Sequence, residues 1–441
     1  MTTTTTKDRA PTGLAQSTQT RGLRPLIRFG DQPLRVLYHH RIASSDGQFT
    51  HIDEMVRSLR SLDAEVCVVG PEVHKFDKGH GGSAGWVGLL KAVLPRVLYE
   101  IAEAAYSFVV YVRLRRAVAR FKPDVIYERY ALFQPAGVWV SRRTGVPLLL
   151  EVNAPYAIAR RRYGGLKLEW LADLCERYTF VGATRVFPVT RVLGEMLIGM
   201  GVSAERIVVI PNAIDPRKFE WLPTVDQAKA TLGLSGHTVV GFIGFVREWD
   251  RLDEMVTWLA QRPKHDSVVL LIVGDGPVRS QLEDQARQLD VAHKVRFTGV
   301  LPREEVPAVA MAFDIALQTA LVPYASPLCL FEYMALGKAI VAPDQANHHE
   351  VLRNGVDCEM YRPQERGSLQ AVVQALLDDP NLRAALGRAA RRAVKEREFH
   401  WVGNAKRVIE AVRDVYPCGG YSVRSQEPDV AAVGRGVDDA V

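Results

Sequence analysis

Residues 324–344 read YASPLCLFEYMALGKAIVAPD, a helix-like run that is followed at once by a strand-like run. A good N-cap at Ser326 and a good C-terminal stop at Gly337 predict a helix over about residues 327–336. The run AIVAP at 339–343 is short and apolar, as is typical of a buried strand. A helix that leads directly into a buried strand is the repeating unit of an α/β fold.

The same alternation runs through most of the chain. Short β-branched runs alternate with segments of helical length such as THIDEMVRSLRSL at 50–62. The other strand-like runs are LRVLYHH (34–40), EVCVVG (65–70), DVIYERY (124–130), PLLLEVN (147–153), RVFPVT (185–190), RIVVIPN (206–212), TVVGFIGF (238–245), SVVLLIVG (267–274), VRFTGV (295–300) and IALQTA (315–320). This alternation predicts parallel sheets with covered faces, and its restart near residue 205 predicts two such domains.

The length of the chain agrees with two domains, because 441 residues are too many for one compact core. We expect a disordered lead over 1–32, a first Rossmann-like domain over 33–204 and a second over 205–399. A closing helix at 400–417 should pack toward the first domain, ahead of a disordered tail at 418–441. Ligands of open parallel sheets bind at the carboxyl ends of the strands, so the predicted site is a central cleft between the two facing sheets.

The composition is that of an ordinary globular protein, with 47% hydrophobic and 24% charged residues. The five cysteines are scattered without a metal-binding spacing, which favours a reduced compartment. The first residues lack the shape of a signal peptide. The most apolar stretch, 98–112, has 15 residues and two glutamates, whereas a membrane-spanning helix needs roughly 20 apolar residues. These features predict a cytoplasmic protein.

The net charge of +6 is unevenly distributed along the chain. Residues 1–200 carry 28 Lys and Arg against 18 Asp and Glu, and residues 201–441 carry 28 against 32. The basic groups of the first part are Arg113, Arg115, Arg116, Arg120 and Lys122, then Arg142 and Arg143, then Arg160, Arg161 and Arg162. An apolar stretch coupled to these basic groups predicts peripheral contact with an anionic membrane. The alternative is that the apolar stretch is a core helix that ends in a solvated basic turn. No recognition-helix or stacking-aromatic pattern accompanies them, so nucleic acid is not expected.

Glu332 is the one acid in the quoted helix, which is apolar on every face and should therefore be buried. A buried carboxylate is costly unless it is paired or hydrogen-bonded. One interpretation is an ion pair with a local Arg or Lys. The other is that Glu332 accepts hydrogen bonds from the hydroxyls of a ligand, while the start of the helix holds a phosphate.

The run SPLCLFEYMALGKAIVAPD, followed by NHHEVLRNG, resembles the nucleotide-sugar signature of the family 4 retaining glycosyltransferases, which have the GT-B fold. That signature has two glutamates separated by seven residues. Glu332 matches the second, which binds the nucleotide ribose, and Ser326, Pro327 and Leu328 match the turn whose amides hold the diphosphate. The first glutamate falls on Tyr324, a departure that would alter the choice of sugar or abolish catalysis.

The resemblance extends over about residues 34–416 and implies further roles. In GFVREWDRLDEMV, Arg247 matches the cation that neutralises the leaving diphosphate. The alternative interpretation is that Arg247 is an ordinary solvated cation on the surface. The second basic position is Asp250, and the neighbouring Arg251 could substitute for it.

Several positions are implied to lie near the donor. Gly299 and Val300 match the segment near the base, and Gly47 matches a loop that approaches the donor phosphate. Asn153 stands where many members place a histidine near the sugar. Glu350 matches an acid that follows the donor-sugar loop, although an exposed glutamate at a helix start would look the same.

The resemblance implies transfer of a sugar from a nucleoside-diphosphate donor, with retention, to a lipid-linked or cell-surface polysaccharide precursor held by the first domain. No cofactor or metal is expected, since the sequence contains no D-x-D. A non-transferring sugar-nucleotide-binding scaffold, a small-molecule (natural product) glycosyltransferase and a nucleotide-sugar epimerase or hydrolase are the alternatives. A dinucleotide enzyme is disfavoured, because the third glycine after Gly274 and Gly276 is replaced by Arg279.

Overall fold

The structure, a computed structural model, describes residues 26–29, 32–43, 47–71, 94–163, 165–263, 265–416 and 421–424. The elements of the first half are β1 (Leu26–Phe29), β2 (Gln32–Pro33), β3 (Arg35–His39), α1 (Gly47–Ser61), β4 (Glu65–Val69), α2 (Arg96–Phe121), β5 (Val125–Arg129), α3 (Ala136–Thr144), β6 (Leu148–Val152), α4 (Tyr156–Tyr163), α5 (Glu169–Gly182), β7 (Arg185–Pro188) and α6 (Arg191–Gly199).

The second half repeats the alternation of strands and helices. Its elements are α7 (Val225–Thr231), β8 (Thr238–Ile243), α8 (Leu252–Ala260), β9 (Val268–Val273), α9 (Arg279–Gln288), β10 (Val295–Gly299), α10 (Val306–Ala310), β11 (Ile315–Leu317), α11 (Leu328–Leu336), β12 (Ala339–Pro343), α12 (Ala346–His349), β13 (Glu359–Tyr361), α13 (Ser368–Asp378), α14 (Pro380–Glu396), α15 (Trp401–Val415) and β14 (Tyr421–Arg424).

Two parallel sheets carry the fold. The first has the strand order β4-β3-β5-β6-β7 and the second β10-β9-β8-β11-β12-β13, and every pairing within them is parallel. Helices cover both faces of each sheet, which is why central strands such as β9, with the sequence VVLLIV, are apolar at every position and fully buried. The predicted α/β class with two Rossmann-like domains is confirmed.

The closing helix α15 crosses back to the first domain, as predicted. Its apolar face, including Trp401, Val408 and Val412, is part of the core cluster that also contains residues of β3 and α1. The Asn404 side chain donates a hydrogen bond to the carbonyl oxygen of Pro211 at 2.6 Å. The connection between the domains is therefore fastened to the first domain by the last helix.

The expectation of disorder at both ends was wrong for two short runs. Strand β1 pairs antiparallel with β14, from Leu26 opposite Arg424 to Phe29 opposite Tyr421, and β2 pairs with β1. The pairing joins runs almost 400 residues apart, and each is too short to be recognised as a strand by its own pattern. The other residues of the lead (1–25 and 30–31) and of the tail (418–420 and 425–441) lie outside the described residues.

Helix α2 leaves part of its apolar surface uncovered. Large side chains that are exposed on it are Val97, Leu98, Ile101, Phe108, Val109 and Val112, with 65% of Phe108 accessible. None of the described helices is both long enough and apolar enough to cross a bilayer.

Candidate active site

Glu332 is buried in the middle of α11, with only 6% of its surface exposed. The guanidinium of Arg303, from the loop after β10, donates a hydrogen bond to its Oε1 atom. The Oε2 atom is also buried, and it has no hydrogen-bond partner among the described residues. An unpaired buried acceptor costs on the order of 1–3 kcal/mol. The ion pair that the sequence left as one alternative therefore exists, but it satisfies only half of the carboxylate.

Helix α11 begins without a side-chain cap, because Pro327 occupies the N-cap position. The prediction of Ser326 as the N-cap was wrong. Its Oγ atom accepts a hydrogen bond from the backbone N–H of Asn212 at 3.1 Å, and its carbonyl oxygen accepts one from the Asn212 side chain. The first amides of α11 lie at the positive end of the helix dipole, where they could bind an anion such as phosphate.

The segment that leads into α11 packs against the first domain. The side chain of Leu328 contacts the core cluster of β3, α1 and α15, and that of Tyr324 contacts the cluster of α2, β5 and β6. The hydroxyl of Thr190 donates a hydrogen bond to the carbonyl oxygen of Tyr324 at 3.0 Å. Tyr324, which stands where the resemblance expects a glutamate, thus lies in the joint between the two domains.

Arg247 follows the carboxyl end of β8, the edge at which parallel sheets bind ligands. Its guanidinium lies 4.8 Å from the centre of the Phe245 ring and 4.9 Å from that of Trp249. Cation–π contacts with two rings favour one placement of this otherwise exposed side chain. The structure therefore holds a cation in place at the ligand edge of the second sheet.

Arg251 has a different environment. Its Nε atom donates to Glu254 at 2.6 Å, and its Nη1 atom donates to the carbonyl oxygen of Pro363 at 3.2 Å. The side chain also lies over the ring of Tyr361. The charge of Arg251 is therefore balanced within the second domain, and its guanidinium is directed toward β13 and its loop.

On the first domain, Asn153 belongs to a buried polar cluster around Glu151. The Glu151 carboxylate accepts hydrogen bonds from the Asn153 amide at 2.5 Å, from the Tyr127 hydroxyl at 2.8 Å and from Arg129. The Nε2 atom of His51 lies 2.9 Å from it. Burial alone would raise the pKa of Glu151, but the nearby His51 and Arg129 outweigh burial and hold that pKa well below its usual range. Glu151 is therefore an anion inside the first domain.

Three other predicted positions lie at the ends of elements. Gly47 is the first residue of α1, which follows the carboxyl end of β3. Gly299 ends β10 with a φ of 70°, a conformation that favours glycine, and 58% of the next residue, Val300, is exposed. All three lie on the side of their sheet where the strands end.

Glu350 makes a contact that the sequence did not predict, either as an acid near the donor sugar or as an exposed glutamate at a helix start. Its carboxylate accepts hydrogen bonds from the backbone N–H of Arg191 at 2.6 Å and of Val192 at 3.0 Å. These are the first two residues of α6 in the first domain. Glu350 thus caps a helix across the domain boundary, where the negative charge also complements the helix dipole.

Two family models match most of the chain: Glycosyl transferases group 1 over residues 226–393 and Glycosyl transferase 4-like domain over residues 46–213. The chain belongs to the family 4 glycosyltransferases. The predicted GT-B fold is confirmed by solved structures. One of them, Anabaena Alr3699/HepE in complex with UDP-glucose, has a TM-score of 0.67 at 18% identity, over 86% of this chain and 100% of that chain.

Curated relatives of this glycosyltransferase differ in what they act on. It is 27% identical over 310 residues to the 2-deoxystreptamine glucosyltransferase of Streptomyces kanamyceticus, an alignment that covers 67% of this chain and 76% of that protein. It is 21% identical over 354 residues to the Alpha-monoglucosyldiacylglycerol synthase of Streptococcus pneumoniae, covering 77% of this chain and 78% of that protein.

The sequence did not point to Arg303, His51 or Asn212 as members of the site of this glycosyltransferase. Arg303 is 29 residues from Glu332, and Asn212 is 161 residues from His51. The available signal was indirect, since a carboxylate within the apolar strand LLLEV, like one within α11, requires a polar partner from elsewhere.

Asp250 replaces the second basic residue of the glycosyltransferase loop. It is 4% exposed, and its Oδ2 atom accepts a hydrogen bond from the backbone N–H of Arg247 at 2.8 Å. Burial raises the pKa of Asp250 from 3.8 to about 6, although Arg247 acts to lower it. The folded state therefore binds a proton on this carboxyl more tightly than the unfolded chain does.

This shift predicts how the Asp250→Asn variant differs from the parent in stability. A raised carboxyl pKa contributes stability that is present below about pH 4 and is lost as the pH rises through about 6. The amide that replaces the carboxyl can still accept the bond from the Arg247 N–H but does not ionise. From about pH 4 to about pH 7, the variant should therefore gain about 2 kcal/mol in unfolding free energy relative to the parent, because the carboxyl of the unfolded chain is already partly ionised at pH 4.

Urea unfolding of both proteins across that pH range measures the difference. The Asp226→Asn variant, at an exposed position of α7, provides the matched control. A difference between Asp250→Asn and the parent that is the same at every pH would contradict the assignment.

Proposed function

We propose that this glycosyltransferase transfers a sugar from a nucleoside-diphosphate donor with retention at the anomeric carbon. The observation that carries the proposal is the unpartnered Oε2 atom of Glu332, which has no partner among the described residues, on the same helix as the uncapped start at Pro327. Leu328 and Glu332 are four residues apart, so their separation along α11 is about 6 Å. A ribose on Glu332 and a phosphate on the first amides of α11 would belong to one nucleotide.

The second support for a diphosphate is Arg247. A guanidinium can donate two parallel hydrogen bonds to one phosphate group, and the two aromatic rings restrict where it can lie. We propose that Arg247 and the helix start together balance the diphosphate charge without a metal ion. Gly299 and Val300, at the end of β10, would contact the base mainly through the backbone.

The reaction that follows from this arrangement needs no protein nucleophile. The bond between the anomeric carbon and the diphosphate oxygen breaks, and the departing negative charge is stabilised by Arg247 and the α11 amides. The acceptor hydroxyl attacks the same face of the sugar and passes its proton to the leaving phosphate oxygen. Asn153, held by Glu151, is the side chain that we propose lies beside the sugar.

For the acceptor, we propose a lipid-linked or polysaccharide precursor at an anionic membrane surface. The exposed apolar residues of α2 are followed on the same helix by the exposed cations Arg115, Arg116 and Arg120. Such a pairing suits peripheral contact with an anionic bilayer. The relative that makes a glucosyldiacylglycerol supports a lipid acceptor.

A small-molecule acceptor is the second candidate. The relative that is 27% identical is named for transfer to 2-deoxystreptamine, a small acceptor. An acceptor panel that contains both aminocyclitols and diacylglycerol separates the two candidates.

The Arg247→Ala variant should lose most of its transfer activity. Removing a cation that stabilises the departing diphosphate should lower turnover about a hundredfold or more, because the lost contact is strongest in the transition state. The measurement is release of nucleoside diphosphate from UDP-, GDP- and ADP-sugars in the presence of the acceptor panel. Arg388→Ala, at an exposed position of α14, is the matched control. Equal turnover in Arg247→Ala and the parent would remove Arg247 from the reaction.

The triple variant Arg115→Gln, Arg116→Gln and Arg120→Gln should lose membrane contact. Each cation near an anionic surface contributes about 1 kcal/mol, and salt screens this attraction. Flotation with vesicles of phosphatidylglycerol and phosphatidylcholine should recover the parent at low salt and much less of the variant. A triple change of Arg388, Arg391 and Arg392 to Gln, in α14 of the second domain, is the control. Absence of salt-sensitive flotation for the parent would contradict the membrane proposal.

A further inference from the structure

A chain of buried polar contacts crosses the joint between the two domains. It begins at Glu151 in β6, whose Oε2 atom lies 2.9 Å from the Nε2 atom of His51 in α1. The Nδ1 atom of His51 lies 2.7 Å from the Oδ1 atom of Asn212, in the connection between the domains. Asn212 in turn contacts Ser326, just before α11. All four residues are buried, so each contact forms away from bulk water.

The orientation of the Asn212 side chain is determined by its neighbour. Its Nδ2 atom donates to the carbonyl oxygen of Ser326, which can only accept. If the amide were flipped, its oxygen would face that carbonyl oxygen and the two would repel. The Oδ1 atom is therefore the one that faces His51, and it too can only accept.

The hydrogen bond between His51 and Asn212 therefore has one possible direction. The Nδ1 atom of His51 carries the N–H group and donates it to the Asn212 oxygen. The Nε2 atom of His51 lies 2.9 Å from the Glu151 carboxylate.

Residues from several elements pack around His51. From β5, Arg129 and Tyr127 donate hydrogen bonds to Glu151. From α15, the Trp401 ring packs against the imidazole in an edge arrangement, with 4.7 Å between the ring centres. On α1 itself, the next turn carries Glu54, which pairs with Lys218 of the interdomain connection. The anion that directly contacts His51 is Glu151.

We infer that His51, held between Glu151 and Asn212, is a positioning residue that fixes the start of α11 against the first domain. It touches neither the donor nor the reacting atoms. It acts through Asn212 and Ser326 on the amides that are proposed to hold the diphosphate, and the inference rests on the proposed function in this respect.

Two variants separate positioning from a merely structural role. His51→Leu removes the N–H group that bonds to Asn212, and its UDP affinity should fall about tenfold. His51→Asn keeps an amide N–H near the former Nδ1 position, so it should recover most of that affinity. Glu151 keeps Arg129 and Tyr127 in both variants, which limits the damage to folding. His237→Leu, in the turn before β8, is the matched control.

Calorimetric titration with UDP measures these affinities. His51→Asn should bind UDP nearly as tightly as the parent, and the His237→Leu control should match the parent. Hydrogen–deuterium exchange in the peptide 324–336 provides a readout without nucleotide, and exchange should be faster in His51→Leu than in the control.

A parent protein that binds no UDP would contradict a uridine-based form of the proposed function, and the exchange experiment would still test the positioning role. His51→Leu with the exchange rate of the parent in peptide 324–336 would overturn the inference. So would a UDP affinity of His51→Asn that is no higher than that of His51→Leu. If His51→Leu fails to fold, His51→Gln takes its place, because its amide reaches the former Nε2 position rather than the Nδ1 position. Peptide 324–336 should then exchange faster in His51→Gln than in His51→Asn, and equal rates would overturn the inference.

Discussion

A buried carboxylate must be satisfied, and in this glycosyltransferase Glu332 is satisfied only in part. Arg303 pairs with one oxygen, while the other lies buried within an apolar helix with no partner among the described residues. A buried acceptor without a hydrogen bond lowers the free energy of unfolding, so Glu332 makes the unliganded protein less stable. A ligand hydroxyl that completes the carboxylate removes that cost on binding. The cost of the unpaired oxygen and the affinity for a ribose would then have the same origin.

The start of the same helix depends on the first domain. Asn212 holds Ser326, Thr190 holds the carbonyl group of Tyr324, and Glu350 of the second domain caps α6 of the first. These contacts surround the segment that presents the α11 amides. The affinity for a diphosphate bound there would depend on how the two domains are arranged. Donor binding would thereby be coupled to the position of the first domain, which is proposed to hold the acceptor. Such a link is what a transfer between two substrates in one cleft needs.

The sequence predicted those features that are determined by local pattern. The alternation of apolar runs and amphipathic segments sufficed for the two parallel sheets, and Gly337 ends α11 with a φ of 65° as its position predicted. The pairing of β1 with β14 and the ion pair of Glu332 with Arg303 depend on tertiary contacts that no local pattern encodes. Glu350 illustrates the same limit, because the helix that it caps lies about 160 residues away.

Calorimetric titration of the parent and of Glu332→Ala with UDP and with 2′,3′-dideoxy-UDP measures whether the free oxygen of Glu332 binds ribose hydroxyls. The parent should prefer UDP by about tenfold or more, and Glu332→Ala should bind the two nucleotides equally. The same preference for UDP in both proteins would contradict this role of Glu332, because the ribose hydroxyls would then be recognised by some other group.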